Sequence, residues 1–299
     1  MTKILSEPIP VFFAANVGYY QHLCVAIVSL LENNRSRNFA IYVLTDDENS
    51  LENEKIRQLK KLYDNFEITF TEIDRTKLET FYVPIKSHLT VQTYYRCFIP
   101  LLFPTLTKAI YLDSDLLIEG DIGKLWETDI EGEGYYLAGV EDLGAKNIDH
   151  KKKLGILENS VYINCGVLLI NLAAWRKDDI VEKIIENSCK LGSRAELVDQ
   201  DVINFTLEGG IKKLDCHFNW STYDSINAPR KLLSHNPVII SHFTTWRKPW
   251  YPLNRCHHES APKYFYYLRK TPYRNFIYRY WMIRSFKFVF RFWNHFFRK

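Results

Sequence analysis

Two carboxylates separated by one residue, Asp113 and Asp115, follow the apolar run AIYL in the segment YLDSDLLI. The run predicts a central strand, and open α/β sheets bind ligands just beyond the carboxyl ends of such strands. Paired carboxylates there can hold Mn²⁺ or Mg²⁺, which leave coordination positions free for phosphate oxygens. Taken alone the pair is a weak signal, because acidic residues at strand ends also serve as turn and cap residues.

A histidine and a lysine near a second strand end strengthen the metal hypothesis. His242 follows the apolar run PVII in SHFTTWRKPW, and imidazole is a common ligand of Mn²⁺. Lys248, further along the same segment, can meet a phosphate as a point charge. The alternative for His242 is an ordinary core or turn histidine.

Two further segments carry polar residues in unusual places. Asn164, Cys165 and Gly166 interrupt the apolar strand pattern VYINCGVLLI, which indicates a bulge or a close approach of the backbone to a ligand. The triplet 199–201, Asp-Gln-Asp, opens the amphipathic segment VINFTL. It supplies either site residues or the N-cap of a helix.

Several common nucleotide and nucleophile motifs are missing from the sequence. It contains no G-x-G-x-x-G fingerprint, no P-loop and no G-x-S-x-G elbow. A bound nucleotide would therefore need another source of positive charge for its phosphates, and a divalent cation is the obvious candidate.

The elements that must position these residues alternate along the chain. Strands are predicted at 9–15, 39–44, 66–70, 108–118 and 161–170, and helices at about 20–33, 49–65, 90–103 and 171–190. Strand–helix alternation predicts a parallel sheet with helices on both faces. We expect one α/β domain followed by a tail.

Composition excludes several protein classes. The 299 residues are 46% hydrophobic and 25% charged, which is typical of a globular protein rather than a disordered or fibrous one. No apolar run reaches the roughly 20 residues of a spanning helix, and Glu7 and Pro8 disfavour a signal peptide. The six cysteines are scattered, which fits reduced thiols in the cytoplasm.

The C-terminal segment differs from the rest of the chain. Residues 263–299 hold ten Lys or Arg, no Asp or Glu, and 16 aromatic side chains. On a helical projection Arg284, Lys287 and Arg291 fall opposite Phe292 and Trp293, the pattern of a basic amphipathic helix. An anionic membrane surface is the partner we favour. Nucleic-acid stacking and docking on the protein's own core are the alternatives.

Six ordered motifs together resemble the family 8 retaining glycosyltransferases, most closely the bacterial enzymes that add galactose or glucose to lipopolysaccharide or lipooligosaccharide. They are FAANVGYY, TYYR, YLDSDLLI, YINCGVLLINLAAWR, DQDVIN and SHFTTWRKPW. The resemblance implies a single Rossmann-like domain of the GT-A type with a mixed central sheet over 1–262. Residues 263–299 are similar to the family's membrane-associating tail.

The same resemblance implies roles for individual residues. The metal ligands would be Asp113, Asp115 and His242. Donor contacts would come from Ala14, Asn16, Arg96, Asp113, Ser114, Asn164, Cys165, Gly166, Thr245 and Lys248, and an acceptor contact from Asp142. Catalytic positions would be Asp199, Gln200 and Asp201. Four positions depart from the family pattern: Asn16 stands where Asp is common, Gly18 replaces a polar side chain near the nucleotide, Thr245 replaces a glycine, and Cys165 stands where Ala is common.

The implied activity is Mn²⁺-dependent retaining transfer of a hexose from a UDP-sugar to a glycolipid acceptor of the lipopolysaccharide type. Mg²⁺ is the alternative ion, and the expected location is the inner face of the cell membrane, without nucleic acid as a partner. Same-face attack and double displacement remain open as routes to retention. The alternative functions are transfer to a protein-linked or other surface glycan, and binding of a UDP-sugar without catalysis.

Overall fold

A seven-stranded sheet and a three-stranded sheet form the centre of the protein. The computed structural model describes residues 7–79, 81–82, 91–144, 148–233 and 236–296, and for 287–296 the backbone alone. The strands are β1 Ile9–Ala14, β2 Phe39–Thr45, β3 Phe66–Glu72, β4 Lys108–Leu112, β5 Leu116–Ile118, β6 Leu137–Glu141, β7 Ile163–Asn171, β8 Ile211–Leu214, β9 Trp220–Ser221 and β10 Ile240–His242.

The helices cover both faces of the large sheet. They are α1 Tyr20–Asn33, α2 Leu51–Arg57, α3 Arg75–Leu78, α4 Ile99–Leu102, α5 Gly123–Trp126, α6 Ile148–Leu154, α7 Leu172–Lys177, α8 Ile180–Leu191, α9 Asp199–Thr206, α10 Thr222–Asn227, α11 Ala261–Leu268 and α12 Phe276–Phe296. Short 3₁₀ segments, among them Val17–Tyr19, Gln58–Lys61 and Val91–Phe98, connect some of them.

The large sheet has the strand order β3-β2-β1-β4-β7-β6-β8. Strands β3, β2, β1 and β4 are parallel, whereas β7 runs antiparallel to both β4 and β6. The mixed sheet implied by the family resemblance is confirmed. The expectation of a purely parallel sheet holds only for the first half of the chain, where helices α1 and α2 supply the crossovers that parallel neighbours require.

The predicted strand 108–118 is in fact two strands in different sheets. β4 ends at Leu112 in the large sheet, and β5 begins at Leu116 in the small sheet, where it pairs with β10. Asp113, Ser114 and Asp115 form the turn between them. Both carboxylates therefore lie at the junction of the two sheets.

Three predicted helices are shorter or more broken than expected. The helix at 49–65 is α2 followed by a 3₁₀ turn, and most of the helix at 90–103 is 3₁₀ structure before Ile99. The helix after β7 is split into α7 and α8, because Asp179 adopts a left-handed conformation with φ of 50°. Left-handed residues end a right-handed helix, so the chain changes direction there.

Two hydrophobic clusters fill the two faces of the large sheet. One cluster combines α1, α2 and α11 with the side chains that β1 and β2 direct to one face of the sheet. The other combines α7, α8 and α9 with the side chains that the strands direct to the opposite face. Alternation of side chains along each strand explains this division, since successive residues point to opposite faces.

The first helix of the C-terminal segment belongs to the core. α11 packs against α1, with Tyr264, Tyr267 and Leu268 buried, and the Tyr264 hydroxyl lies 2.7 Å from His22 Nδ1. Docking on the protein's own core, one of the alternatives for the C-terminal segment, therefore describes α11. The hydrophobic core extends past the predicted boundary at 262. The predicted two-sided pattern of α12 involves side chains beyond Phe286, which lie outside the described residues.

A series of contacting aromatic rings joins the start of α1 to α12. His22 stacks on Trp250 with ring centroids 3.7 Å apart, and Trp250 lies 5.1 Å from Tyr264. The series begins at Tyr19, beside His22, and continues from Tyr264 through Phe265 and Tyr280 to Trp281. Rings at these separations pack favourably as stacked or edge-to-face pairs.

Within the described residues, no helix combines the length and the apolar character needed to cross a membrane.

Candidate active site

An open cavity of about 580 Å³ lies beyond the carboxyl end of β4. Its walls come from the turn after β4, the start of β7, the start of α9 and the segment after β10. Most of the predicted site residues line it, namely Arg96, Asp113, Asp115, Asp142, Asn164, Cys165, Gly166, Asp199, Gln200, His242, Thr245 and Lys248. The fold therefore brings together residues that are far apart in sequence.

One group in this cavity has the chemistry of a metal site. A ligand atom from each of Asp113, Asp115 and His242 lies within 4.8 Å of the other two. His242 Nε2 is 3.1 Å from Asp115 Oδ1 and 3.8 Å from Asp113 Oδ2. Two carboxylates and an imidazole suit Mn²⁺, and Mg²⁺ accepts the same oxygens.

The orientation of His242 is set by Asn219, a buried residue that the sequence did not identify. Asn219 Nδ2 donates to Asn164 Oδ1 over 2.9 Å, so Asn219 Oδ1 is the acceptor that faces His242 Nδ1 at 2.9 Å. A His242 ring that bound a metal through Nε2 would therefore carry its proton on Nδ1, where Asn219 accepts it. Such an outer hydrogen bond is typical of a metal-ligating histidine.

Lys248 is held against the same carboxylates. Its ammonium donates to Asp115 Oδ2 and to the Phe243 carbonyl. Burial raises the pKa of Asp115, but Lys248 and His242 more than offset this and hold that pKa well below its usual range. Asp115 is therefore a carboxylate throughout the physiological pH range.

Arg96 is a buried cation between two carboxylates. Its guanidinium lies 3.0 Å from Asp113 Oδ1 and 3.1 Å from Asp199 Oδ2, and also donates to the Cys165 carbonyl. Burial opposes the charge on Arg96, yet Asp113 and Asp199 raise its pKa well above the ordinary value. Burial raises the pKa of Asp199 to about 6, although Arg96 opposes the shift.

One oxygen of Asp199 has no hydrogen-bond donor. The Arg96 N–H nearest to Asp199 Oδ2 donates to the Thr93 carbonyl at 3.0 Å, so its contact with Oδ2 is ionic. Among the described residues Oδ2 is a buried acceptor without a hydrogen bond, in a side chain that lines the cavity. Buried polar atoms are rarely left in this state, so a ligand donor is expected.

The Gln200 amide is fixed by hydrogen bonds on both sides. Its oxygen accepts from Asn164 Nδ2 and from the Cys165 N–H, each at 3.2 Å. Its nitrogen donates to Asp142 Oδ2 over 3.0 Å and to the Tyr162 hydroxyl over 3.3 Å. Gln200 is thus a rigid polar group at the cavity wall.

Asp201 is placed differently from the other predicted catalytic residues. It is fully buried and is not among the residues that line the cavity. Its carboxylate accepts from the Leu197 N–H at 2.8 Å and from the Tyr162 hydroxyl, and lies 2.8 Å from His150 Nε2. These contacts anchor the first turn of α9.

Three other predicted donor-site residues also lie outside the cavity lining. The Ser114 hydroxyl donates to the Ala14 carbonyl over 2.9 Å, which ties the metal-site turn to the end of β1. Asn16 precedes the 3₁₀ turn Val17–Tyr19 without a side-chain cap bond. A Cβ at Gly18 would lie 3.2 Å from Asn16 Oδ1, so the Asn16 side chain folds back over that turn.

The cavity lining also includes aromatic residues that were not predicted as site residues, although they lie in or beside the motifs. Tyr19, Trp246 and Tyr251 line the cavity, and Trp246 and Tyr251 are 65% and 40% exposed. The available signal was their position inside or beside FAANVGYY and SHFTTWRKPW. Exposed aromatic faces beside a polar cavity suit stacking on a sugar ring.

Comparison with known proteins points to one family. The family described as Glycosyl transferase family 8 matches residues 10–253. General stress protein A of Bacillus subtilis is 32% identical over 272 residues, which cover 86% of this chain and 92% of that protein. The lipopolysaccharide 1,2-glucosyltransferase of Escherichia coli K12 is 27% identical over 254 residues, covering 82% and 74%.

A solved structure agrees with the sequence relatives. The galactosyltransferase LgtC, crystallised in complex with donor and acceptor sugar analogues, superimposes with a TM-score of 0.77 at 25% identity. The match covers 88% of this chain and 96% of that one.

Proposed function

Because this chain belongs to glycosyl transferase family 8, we propose that it transfers galactose or glucose from a UDP-sugar to a glycan of the lipopolysaccharide or lipooligosaccharide type, with retention of configuration. The support is the family, the names of the E. coli and LgtC relatives, and a cavity whose chemistry matches a nucleotide sugar.

The observation that carries the proposal is the metal-type group beside a cationic lysine. Asp113, Asp115 and His242 offer oxygen and imidazole ligands at one point of the cavity, and Lys248 lies against Asp115. Mn²⁺ or Mg²⁺ held there would supply Lewis-acid charge to a diphosphate leaving group. Lys248 adds its own positive charge to the same oxygens.

The donor sugar would satisfy the polar groups on the opposite wall. Asp199 Oδ2, which accepts no hydrogen bond although Arg96 Nε lies 3.1 Å away, would accept one from a sugar hydroxyl. The volume of about 580 Å³ falls within the range of small-ligand cavities. Asn164, Cys165 and Gly166 bring the start of β7 to the same wall.

The position of Asp201 favours same-face attack over double displacement. A double displacement needs a nucleophile that reaches the anomeric carbon, whereas Asp201 is fully buried outside the cavity lining and accepts a hydrogen bond from Tyr162. Gln200 is at the cavity wall but is a poor nucleophile. In our proposal its amide stabilises positive charge at the anomeric carbon, while the departing phosphate accepts the acceptor's proton.

The acceptor and location are also proposals. Asp142, hydrogen-bonded to Gln200 at the cavity wall, together with the exposed rings of Trp246 and Tyr251, would receive the acceptor sugar. Because a lipid-linked acceptor lies at a membrane, we place the enzyme on the inner face of the cell membrane, attached through the segment that begins with α12. The catalytic domain then extends to the end of α11.

Donor hydrolysis tests the proposal directly. Purified protein is given UDP-glucose, UDP-galactose, UDP-N-acetylglucosamine and GDP-mannose in turn, each with Mn²⁺, with Mg²⁺ and with EDTA. We expect metal-dependent release of UDP from one of the two hexose donors. The Asp115→Asn variant, which loses a metal ligand, is expected to release little UDP with either ion.

Two results would count against the proposal. Equal release in EDTA and in Mn²⁺ would remove the metal from the reaction. Tight metal-dependent UDP binding without release from any donor, and without transfer when a lipooligosaccharide acceptor is added, would instead indicate a protein that binds UDP-sugars without catalysis.

A further inference from the structure

A second cavity, of about 430 Å³, lies between the 3₁₀ turn after α2 and the turn that joins α11 to α12. Four cationic side chains line it, Lys61, Arg269, Lys270 and Arg274. No acidic side chain is among its described lining residues. The cavity is therefore strongly positive and is separate from the metal-type group.

Most of this positive charge is uncompensated. Lys270 pairs with Glu32 over 2.9 Å. By contrast, Lys61, Arg269 and Arg274, all exposed, have no ion pair within the described part of the chain. Lys60, next to Lys61, and Lys263, at the start of α11, do pair, with Glu67 and Glu119. Cations gathered around one concavity without counter-charges attract an anion.

An exposed apolar face begins directly beyond this cavity. Arg274 and Asn275 line the cavity and immediately precede α12, whose first turns expose Tyr278, Trp281, Met282 and Phe286 by 77%, 51%, 55% and 70%. Their spacing of i, i+3, i+4 and i+8 places these side chains on one face of the helix. Large apolar side chains on one such face mark an interaction surface.

We propose that the cavity lined by Lys61, Arg269 and Arg274 binds the phosphate of an anionic membrane lipid while the exposed face of α12 enters the bilayer interface. A helix of this kind lies in the plane of the interface, with cations at headgroup level. The inference rests on the proposed action on a lipid-linked acceptor. It adds that the folded core, through the turn after α2, contributes to membrane binding.

The combination favours a bilayer over nucleic acid. Binding of single-stranded nucleic acid would require a basic groove that follows the nucleic-acid backbone, with aromatic rings inside it that stack on the bases. Here the apolar face includes Met282, and the cations surround a concavity of about 430 Å³, which has room for a phosphate-bearing headgroup. The occupant is thus a lipid phosphate with its acyl chains beside α12.

Binding of the full-length chain to vesicles tests the proposal. The vesicles are phosphatidylcholine with or without phosphatidylglycerol, and the test variant is the triple substitution Lys61→Ala, Arg269→Ala, Arg274→Ala. Each cation near the surface contributes about 1 kcal/mol, so we expect the partition coefficient on anionic vesicles to fall about 100-fold. The single variant Arg269→Gln should lose about fivefold and serves if the triple variant does not fold.

A matched control removes the same charge from the other side of the molecule. Lys152, Lys177 and Lys183 are exposed and lie on α6, α7 and α8, elements of the cluster on the opposite face of the large sheet. The triple alanine variant at these positions should bind vesicles nearly as well as wild type. If both triple variants lost the same amount of vesicle binding, the effect would depend only on net charge, and the proposal would be overturned.

Further arms separate the possible sources of phosphate. If wild type bound inorganic phosphate to saturation but did not bind vesicles, the result would contradict a lipid site. So would equal binding to vesicles without phosphatidylglycerol, or binding to a single-stranded oligonucleotide in place of vesicles. UDP release is measured on the same samples, and vesicle binding requires neither donor nor acceptor. A failure of the transfer reaction is therefore distinguishable from a failure of this inference.

Discussion

Gly166 lies where the backbone of β7 passes close to the metal-type group. A Cβ at this position would lie 2.2 Å from His242 Cε1 and 2.8 Å from Asp113 Oδ2. The close packing explains why a glycine interrupts an otherwise apolar strand. The side chains of two ligands occupy the space that any other residue would need.

We expect Gly166→Ala to displace His242 and Asp113 and to weaken Mn²⁺-dependent UDP binding about tenfold or more, the usual cost of disturbing a ligand's orientation. Calorimetric titration of UDP with and without Mn²⁺ measures this. Gly120→Ala is the control, since the three atoms nearest its Cβ would all belong to Ile239, with Cγ1 at 3.2 Å. Unchanged affinity in Gly166→Ala would contradict the described site.

Asp201 provides a second test at the level of one side chain. The Asp201 carboxylate accepts through both oxygens, from the Leu197 N–H and from the Tyr162 hydroxyl. Asn has only one acceptor oxygen, and a buried group left unsatisfied costs about 1–3 kcal/mol. We expect Asp201→Asn to lower the free energy of unfolding by that amount in urea while retaining most donor hydrolysis.

The companion variant Tyr162→Phe removes the hydroxyl that joins Asp201 to Gln200, and should cost about 1 kcal/mol. A stable Asp201→Asn protein without any hydrolysis would instead place this carboxylate in the chemistry and favour double displacement.

Sequence reasoning located most of the cavity but could not orient every side chain. The motifs at strand ends predicted Asp113, Asp115 and His242, which the fold brings together. Asp199 and Asp201 were both predicted as catalytic positions, yet residues two apart on a helix point in nearly opposite directions. Only the placement of α9 against β7 shows which of the two lines the cavity.

At the level of elements, the contact between α1 and α11 contains a buried histidine. His22 stacks on Trp250 and lies within hydrogen-bond distance of Tyr264. Burial lowers its pKa to about 3 from an ordinary value of about 6.5. Between these two values the unfolded chain binds a proton that the folded chain does not.

Folding stability should therefore fall as the pH drops below about 6.5, by about 1.4 kcal/mol per pH unit from this residue. In His22→Gln we expect the dependence of the unfolding free energy on pH, between pH 6 and pH 4, to be less steep by that amount. Urea unfolding at several pH values measures it.

His257→Gln removes an exposed histidine and should keep the wild-type slope. An identical slope in His22→Gln and wild type would show that His22 is protonated in the folded protein.

The elements themselves were predictable where periodicity was strong. β1, α1, β2 and β3 follow from buried runs alternating with amphipathic ones. The division of 108–118 into β4 and β5 was not predictable, because both halves are apolar and differ only in the sheet that they join. The long 3₁₀ segment before α4 was also missed, since apolar spacing does not separate it from an α-helix.

At the scale of the whole molecule, the C-terminal segment has two parts with different tasks. Deletion of 276–299 removes α12, and we expect a folded protein that binds UDP but binds anionic vesicles much more weakly than the full chain. Deletion of 263–299 also removes Tyr264, Tyr267 and Leu268 from the core. The loss of about 5 kcal/mol of burial is comparable to the total stability of many proteins.

Thermal unfolding and vesicle sedimentation of both truncated proteins check this prediction. A cooperative transition near the wild-type temperature after deletion of 263–299 would contradict the assignment of α11 to the core. Composition could indicate an interface in this segment, but it could not locate where the core ends. The burial of Tyr264 depends on α1, which is distant in sequence.

The ring series from Tyr19 to Trp281 connects the two surfaces on which the proposals rest. Tyr19 lines the candidate active-site cavity, and Trp281 lies half-exposed on α12. If the packing between them transmits a free energy, thermodynamic linkage requires reciprocity. A membrane that tightens donor binding by some factor must itself be bound more tightly, by the same factor, when the donor is present. Such an enzyme would be retained at the bilayer by its own substrate.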